Sequence, residues 1–304
     1  MIYGIIDLGA NTVRLNMYNF ENNNITKIFS KKEILGLAAY VTDGILSQEG
    51  MLKAIETLNS FKDLAVKFID VSQLYVFATA SLRNIHNRAE AVQTITDATS
   101  LPIEILSEDD EASMGFIGIK QSINLQDGIL IDIGGASTEF VQIQDYKPTK
   151  IVSLPIGCLN LYLNNVQNLV PTANERNNIK HQIKSHLSTI DWHINPNPAT
   201  MVGIGGTIRA TLKLSNNILN QNNKDTLTNN TIKELHSLIK KSDTNNKFVH
   251  HAIYKTVPER ALTIFTGLSI LKASVKKFNV GTVVVSQYGV REGYLIDRVL
   301  CKGN

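Results

Sequence analysis

Residues 128–140 read Gly-Ile-Leu-Ile-Asp-Ile-Gly-Gly-Ala-Ser-Thr-Glu-Phe. The apolar run 129–133 has the pattern of a buried strand, and one carboxylate, Asp132, interrupts it. Gly134, Gly135, Ala136, Ser137 and Thr138 follow, and an apolar alternation resumes at Phe140. The stretch therefore reads as strand, small-residue turn, strand. A carboxylate in a core strand is costly unless it meets a cation or hydrogen-bond donors. Small residues beyond it let a phosphate come close to backbone N–H groups. Taken alone, the stretch reads as a plain structural turn somewhat more readily than as a phosphate site.

The chain begins the same way. Asp7-Leu8-Gly9-Ala10-Asn11-Thr12 parallels Asp132-Ile133-Gly134-Gly135-Ala136-Ser137, with an apolar strand before it, a glycine two residues after the Asp and a hydroxyl residue five after it. An internal repeat of this kind predicts two related domains, each with an acidic residue and a phosphate-accepting turn. Two facing turns would hold a phosphate chain, with a divalent metal near Asp7 and Asp132. Magnesium suits such a site, because it takes few carboxylates and keeps water and phosphate oxygens.

A chain of 304 residues with 43% hydrophobic residues accommodates two ordinary cores. Its 30 basic and 27 acidic residues leave a formal charge of +3, so composition does not predict nucleic-acid binding. Cys158 and Cys301 have neither paired spacing nor a His cluster, which argues against a disulfide framework or zinc. No basic-then-apolar leader and no membrane-length apolar run is seen, so a cytoplasmic protein without membrane association is expected.

In chain order, residues 2–6, 13–17 and 25–34 predict a three-stranded meander. Residues 47–68 have helical spacing, with Leu52, Ile55, Leu58, Phe61, Leu64, Ala65 and Phe68 on the apolar side and Ser47 as cap. Residues 74–78 predict a strand whose outlet carries Arg83 and Asn87. Ligands collect beyond the carboxyl ends of strands in open α/β sheets. These two are phosphate-contact candidates, balanced against a surface arginine and an N-cap asparagine. The acidic run 108–111 opens a helix, where macrodipole complementarity alone would explain it. Residues 124–128 are the expected boundary, giving domains 1–124 and 125–304. In the second, Gly205-Gly206-Thr207 forms a third glycine turn at a strand end. The Asn-rich segment 215–231 reads as a mobile loop, 258–278 as one long helix, and 289–299 as a closing helix.

Together these segments resemble the exopolyphosphatase / guanosine pentaphosphate phosphohydrolase (Ppx/GppA) family in its short, two-domain form. The resemblance rests on residues 7–12, residues 79–83 with Asn87, residues 107–112 and residues 132–139. It continues through Gly205-Gly206-Thr207, Glu259-Arg260 and Gly289-Val290-Arg291-Glu292-Gly293, in family order. It implies an α/β protein of two actin-like ATPase (ribonuclease H-like) domains with an interdomain cleft, and Mg²⁺-dependent hydrolysis of a terminal phosphoanhydride. By position, Glu111 matches the carboxylate that activates water, and Arg83 a phosphate-contacting arginine. Asp132, Asp7 and Glu139 match the acidic residues of the metal and phosphate site. Gly9, Asn11, Thr12, Asn87, Gly134, Gly135, Ala136, Ser137, Gly205, Gly206 and Thr207 are the candidate phosphate-binding positions.

The sequence departs from the family at Ala136, where a third glycine is usual. Ala10 and Thr12 stand where Ser is common, and Gln287 where an acid is often seen. No titratable residue assigned to catalysis is lost. The resemblance implies an exopolyphosphatase acting on inorganic polyphosphate, lacking the additional C-terminal domain of longer members, and a homodimer. The alternatives are guanosine pentaphosphate as substrate, a kinase of the same superfamily, or a polyphosphate or nucleotide sensor weakened by Ala136.

Overall fold

The computed structural model describes residues 1–168, 171–194, 199–241 and 247–301. The chain divides into two compact units, Met1–Glu111 and Ala112–Asn304.

The first unit opens with β1 (Ile2–Leu8), β2 (Thr12–Glu21) and β3 (Asn24–Ile34), an antiparallel meander. A small hairpin of β4 (Val41–Thr42) and β5 (Ile45–Leu46) leads into α1 (Gln48–Ala65). β6 (Leu74–Ala78), α2 (Ala80–Arg83), α3 (Arg88–Thr99) and β7 (Ile103–Ile105) complete it. The sheet order is β3-β2-β1-β6-β7, with β6 parallel to β1 and β7 parallel to β6. Ile5 and Ile6 are adjacent and fully buried. β1 is thus covered on both faces, which explains its unbroken apolar run.

Ser47 Oγ accepts from Gly50 N at 3.2 Å, capping α1 as its sequence predicts. The buried face of that helix is Met51, Ala54, Leu58, Phe61 and Ala65. Leu52 and Phe68, expected inside, are 59% and 63% exposed. Leu58, Phe61 and Ala65 are inside as expected, whereas in the first turns Met51 and Ala54 are buried in place of Leu52, and the helix ends before Phe68.

α4 (Glu108–Ile119) starts at the end of the first unit, and its remaining turns pack within the second. Its Ala112, Phe116 and Ile119 lie against Leu130, Val141 and Val202. The division expected at 124/125 thus falls beyond a helix whose apolar side belongs to the second core.

The second unit repeats the first. β8 (Gly128–Ile133), β9 (Thr138–Gln144) and β10 (Lys147–Leu154) form its meander, followed by α5 (Cys158–Asn165) and α6 (Ala173–Ser188). β11 (Ala199–Ile204) runs into α7 (Gly205–Ile218). β12 (Thr226–Thr228), α8 (Asn229–Lys241), α9 (Lys247–Thr256), α10 (Ile264–Lys277), β13 (Val280–Val285) and α11 (Val290–Tyr294) follow. The order β10-β9-β8-β11-β13-β12 is that of the first sheet with an added antiparallel edge, β12. Both units therefore have the ribonuclease H-like topology of actin-like ATPase domains: a meander followed by parallel strands on its first-strand side.

Three readings of the second half are corrected. The Asn-rich segment is ordered: α7 continues to Ile218, Asn216 bonds the backbone of Asn223 through both ends of its side-chain amide, and β12 adds to the sheet. The expected helix over 258–278 begins as a single 3₁₀ turn, Pro258–Arg260, and α10 starts only at Ile264, leaving Leu262 45% exposed. The closing helix ends at Tyr294, and Leu295–Leu300 continues in wider π turns. Where α4 crosses α11, a Cβ on Gly293 would overlap the carbonyl of Met114, so only glycine allows that approach.

Candidate active site

Within the first unit, strand β6 delivers Arg83 through the short α2, and the start of α4 delivers Glu111. Arg83 Nη1 donates to Glu111 Oε2 at 2.9 Å and to the Leu106 carbonyl at 3.0 Å. Glu108 Oε1 stands 3.7 Å from Arg83 Nη2. Both side chains of the Arg83–Glu111 pair are largely buried, at 9% and 12% exposure. The Nε and Nη2 groups of Arg83 are buried without a hydrogen-bond partner. Buried donors of this kind are normally satisfied, so they mark a place where an acceptor belongs. The remaining acids of the run do ordinary work in part. Asp110 N–H donates to Ser107 Oγ at 3.0 Å, and the Ser107 hydroxyl donates back to the Asp110 carboxylate at 2.7 Å, which closes the helix start.

The two glycine turns have one geometry. Gly9 N–H donates to the Thr12 carbonyl at 3.2 Å, and Gly134 N–H donates to the Ser137 carbonyl at 3.0 Å. Most of the other carbonyls accept from backbone N–H groups outside the turn. In the first turn Ala10 O accepts from Ala38 N, and Asn11 O accepts from Leu35 N and Gly36 N. In the second, Gly134 O accepts from Cys158 N at 2.9 Å, and Gly135 O accepts from Leu159 N and Asn160 N. Asn160 Nδ2 donates to Ala136 O at 2.8 Å, while its Oδ1 accepts from Gly157 N at 2.7 Å. The backbone N–H groups of Ala10, Asn11, Gly135, Ala136 and Ser137 donate to no acceptor among the described residues. Each turn thus leaves successive N–H donors without an acceptor, the arrangement of backbone donors that can form an anion-binding nest.

The acidic residues differ between the repeats. Asp7 stands opposite Arg14 in the β1–β2 ladder. Asp132 stands opposite Glu139 in the β8–β9 ladder, and Ser153 Oγ donates to Glu139 Oε1 at 3.0 Å. Directly opposed residues share a face, and like charges there are unfavourable without a cation. Asp132 also faces α7. Gly205 has φ +84°, and a Cβ there would overlap Asp132 Oδ1. The carboxylate is therefore held against the backbone at the start of a helix, and the position requires glycine.

A model of the Ppx/GppA phosphatase family matches residues 17–302. The chain belongs to the Ppx/GppA phosphatase family. Members of this family are phosphoanhydride hydrolases. The chain is 25% identical over 307 residues to the guanosine-5'-triphosphate,3'-diphosphate pyrophosphatase of Vibrio cholerae, a match covering 98% of this chain and 59% of that protein. It spans less than two thirds of the length of the curated relatives it matches. A solved Ppx/GppA family member from Aquifex aeolicus superposes with TM-score 0.79 at 25% identity, covering 100% of this chain and 99% of that one. The exopolyphosphatase from Cytophaga hutchinsonii superposes with TM-score 0.85 at 19% identity, covering 100% and 98%, and shares the fold.

Several sequence candidates of this Ppx/GppA protein have structural duties. Asn87 does not cap α3 through its side chain. Its amide pairs with both backbone groups of Leu46, at 2.9 and 3.0 Å, and so ties β5 to the start of α3. Thr207 is 1% exposed, and its hydroxyl donates to the Ile133 carbonyl at 2.9 Å, locking α7 to the end of β8. Ala136 has no positive φ, so its side chain imposes no left-handed backbone strain. Among the described residues no group of three or more His, Cys, Asp or Glu converges as a metal cage, and no helix is long and apolar enough to cross a membrane.

The sequence alone gives Arg260 no role. In the fold its guanidinium lies against Gly206, with Nη1 3.3 Å from Thr207 Oγ1 and 3.7 Å from Cys158 Sγ. A cation held at the N-terminus of α7, where the helix dipole is already positive, is a position that an anion would stabilise. Asn160, which braces the second turn, likewise carries no local signal. Both are brought into place by contacts distant in sequence.

Proposed function

We propose that this protein is an exopolyphosphatase, releasing orthophosphate from the end of inorganic polyphosphate. The observation that supports it is the pair of glycine turns, each closed by the same N–H to carbonyl bond and each leaving consecutive N–H groups without an acceptor among the described residues, available for phosphoryl oxygens. Phosphoryl transfer needs positioning and charge stabilisation more than covalent chemistry from the protein. In this reading Glu111, held by Arg83, orients the attacking water and accepts its proton. The unspent Nε and Nη2 donors of Arg83 take a phosphoryl oxygen. Within the second unit, the N–H groups of residues 135–137 and the Arg260 guanidinium are the groups suited to bear phosphate charge.

Magnesium fits the residues present. Asp132 and Glu139 supply hard oxygen donors from adjacent strand positions, and Mg²⁺ takes one or two carboxylates together with water and phosphate oxygens. Asp132 would hold it with Glu139, and the ion would supply charge neutralisation at the phosphate oxygens. Asp7, opposite Arg14, is the weaker candidate ligand.

A second reading, hydrolysis of guanosine pentaphosphate, is favoured by the name of the Vibrio cholerae relatives. One assay separates the two. Phosphate release is followed from long-chain polyphosphate and from guanosine pentaphosphate, side by side, with and without Mg²⁺. A larger kcat/KM on polyphosphate, dependent on the metal, is the expected result. Preference for the guanosine compound replaces the first reading with the second, and binding without release from either leaves the sensor reading.

A further inference from the structure

The second unit carries a concentration of positive charge that the chemistry above does not use. Arg176 and Lys180 lie one turn apart on α6. Lys233, His236 and Lys240 lie on successive turns of α8, and Lys272 and Lys276 one turn apart on α10. Lys272 Nζ is 3.1 Å from His236 Nδ1, and His236 Nε2 is 3.1 Å from Ser269 Oγ. The Ser269 hydroxyl donates to the Phe265 carbonyl at 2.7 Å, so it accepts from Nε2–H, and Nδ1 accepts from the ammonium. Burial, followed by the charges of Lys272, Lys240 and Arg176, pushes the His236 pKa down to about 4. A neutral imidazole thus pins the Lys272 ammonium in place. Burial and then Lys240, Lys180, Lys233 and Lys276 lower the pKa of Lys272 itself, so these cations act on one another.

Helix dipoles account for only part of this charge. Lys240 and Lys276 sit in the last turns of their helices, where the macrodipole favours cations. Arg176, Lys180, Lys233 and Lys272 do not. Among the described residues none of the six Lys and Arg groups forms a salt bridge with a carboxylate. Glu175 on α6 is taken up by the N–H groups of Thr172 and Gln167, at 2.6 and 3.0 Å, and Glu234 on α8 makes no salt bridge among those residues. Arg176 spends Nη1 on the Pro171 carbonyl, and its Nε is buried without a partner. In a chain of net charge +3, six cations on three neighbouring helices that close no salt bridge among the described residues, with Glu175 near only Arg176, leave an excess of positive charge suited to an anion.

We propose that the α6–α8–α10 face of the second unit is a binding surface for inorganic polyphosphate, built from residues other than those of the glycine turns. The proposal rests on the reading of the protein as a polyphosphate hydrolase. Cations repeating at each helical turn match a chain that carries charge at every unit. Nucleic-acid recognition of single strands adds aromatic platforms for the bases. Here α6 and α8 have no Phe, Tyr or Trp, and the one on α10, Phe265, is buried.

The test is the affinity of the whole protein for fluorescently labelled long-chain polyphosphate over a series of salt concentrations. The variant is Lys180→Gln/Lys233→Gln/Lys240→Gln, at three exposed positions outside the core. Counterion release predicts a Kd weakened roughly tenfold at moderate salt, with a log–log salt slope shallower by about two. Lys272→Met, made separately, should weaken Kd in the same direction. Hydrolysis of tripolyphosphate, whose three phosphates offer few charges to such a face, should keep its kcat/KM in both variants. An unchanged Kd for the long chain in both overturns the proposal, as does an equal loss on tripolyphosphate. Tighter binding of single-stranded RNA than of polyphosphate at equal phosphate would also overturn it and make this a nucleic-acid surface. A wild-type protein that binds through this face but does not hydrolyse polyphosphate removes the proposed activity and leaves the surface standing.

Discussion

Arg83 holds Glu111: a guanidinium N–H meets the carboxylate at 2.9 Å, and the same nitrogen is anchored on the Leu106 carbonyl. A general base must be held in place, and this contact fixes the one carboxylate of the acidic run that is both largely buried and paired. Glu111→Gln keeps the shape and removes the carboxylate that the proposed reading makes the proton acceptor. Steady-state hydrolysis should show kcat lowered about 10²–10⁴-fold with KM within a few-fold of wild type. A variant retaining most of its kcat would exclude Glu111 as the base.

Arg83→Met removes the anchor and leaves Glu111 and Glu108 without that cation. Breaking a buried pair costs about 3 kcal/mol, to be read as a lower urea midpoint. Turnover should fall as well, and Arg83→Lys should restore stability better than turnover, since a single ammonium can take the place of Nη1 but not of the Nε and Nη2 donors that the planar fork directs elsewhere. Equal rescue of both would show the arginine to be structural only.

Gly205→Ala places a methyl group on Asp132 Oδ1 in a backbone conformation with φ +84°. A loss of about 2 kcal/mol or more is expected from strain and overlap, along with a displaced Asp132. Thermal melting at matched concentration measures the first effect. The second should appear as a higher Mg²⁺ requirement in the phosphate-release assay.

Ala136→Gly tests the family departure directly. Residue 136 needs no positive φ, and its N–H is available with either side chain. Activity should change by no more than about twofold, and stability should fall by about 0.4–1 kcal/mol from the added freedom of the unfolded chain. A large gain in turnover would instead support an enzyme weakened at this position.

His236 makes stability depend on pH. Its pKa is about 4 in the folded chain against 6.5 for a free histidine. Between these values the unfolded chain binds more protons, so stability falls as pH drops from 6.5 towards 4. Moving from pH 7 to pH 5 should cost about 2 kcal/mol through this residue. Urea titrations of wild type and His236→Asn should show a smaller pH difference in the variant; parallel curves would contradict the assignment.

The sequence by itself determined the repeat. An Asp, a glycine two residues later and a hydroxyl after that are a local pattern, and local patterns fix hairpins. The register that puts Asp7 opposite Arg14 and Asp132 opposite Glu139 follows from turn length alone. Most strands were legible for the same reason, since their alternation and their breaks are short-range. The tertiary structure decided what depends on distant partners. The packing of α4 on Leu130 and Val202 is a property of its apolar side, invisible in an acidic helix start. Asn87 turns to Leu46, and Thr207 to Ile133, because buried polar groups take the partner the fold supplies. Arg260 reaches Gly206 and Thr207 from a segment far along the chain. The Asn-rich stretch becomes helix end, strand and helix start because an open sheet edge and neighbouring helices stabilise it. Local sequence sets which turns can form, while burial and long-range hydrogen bonding decide which side chains remain free to act.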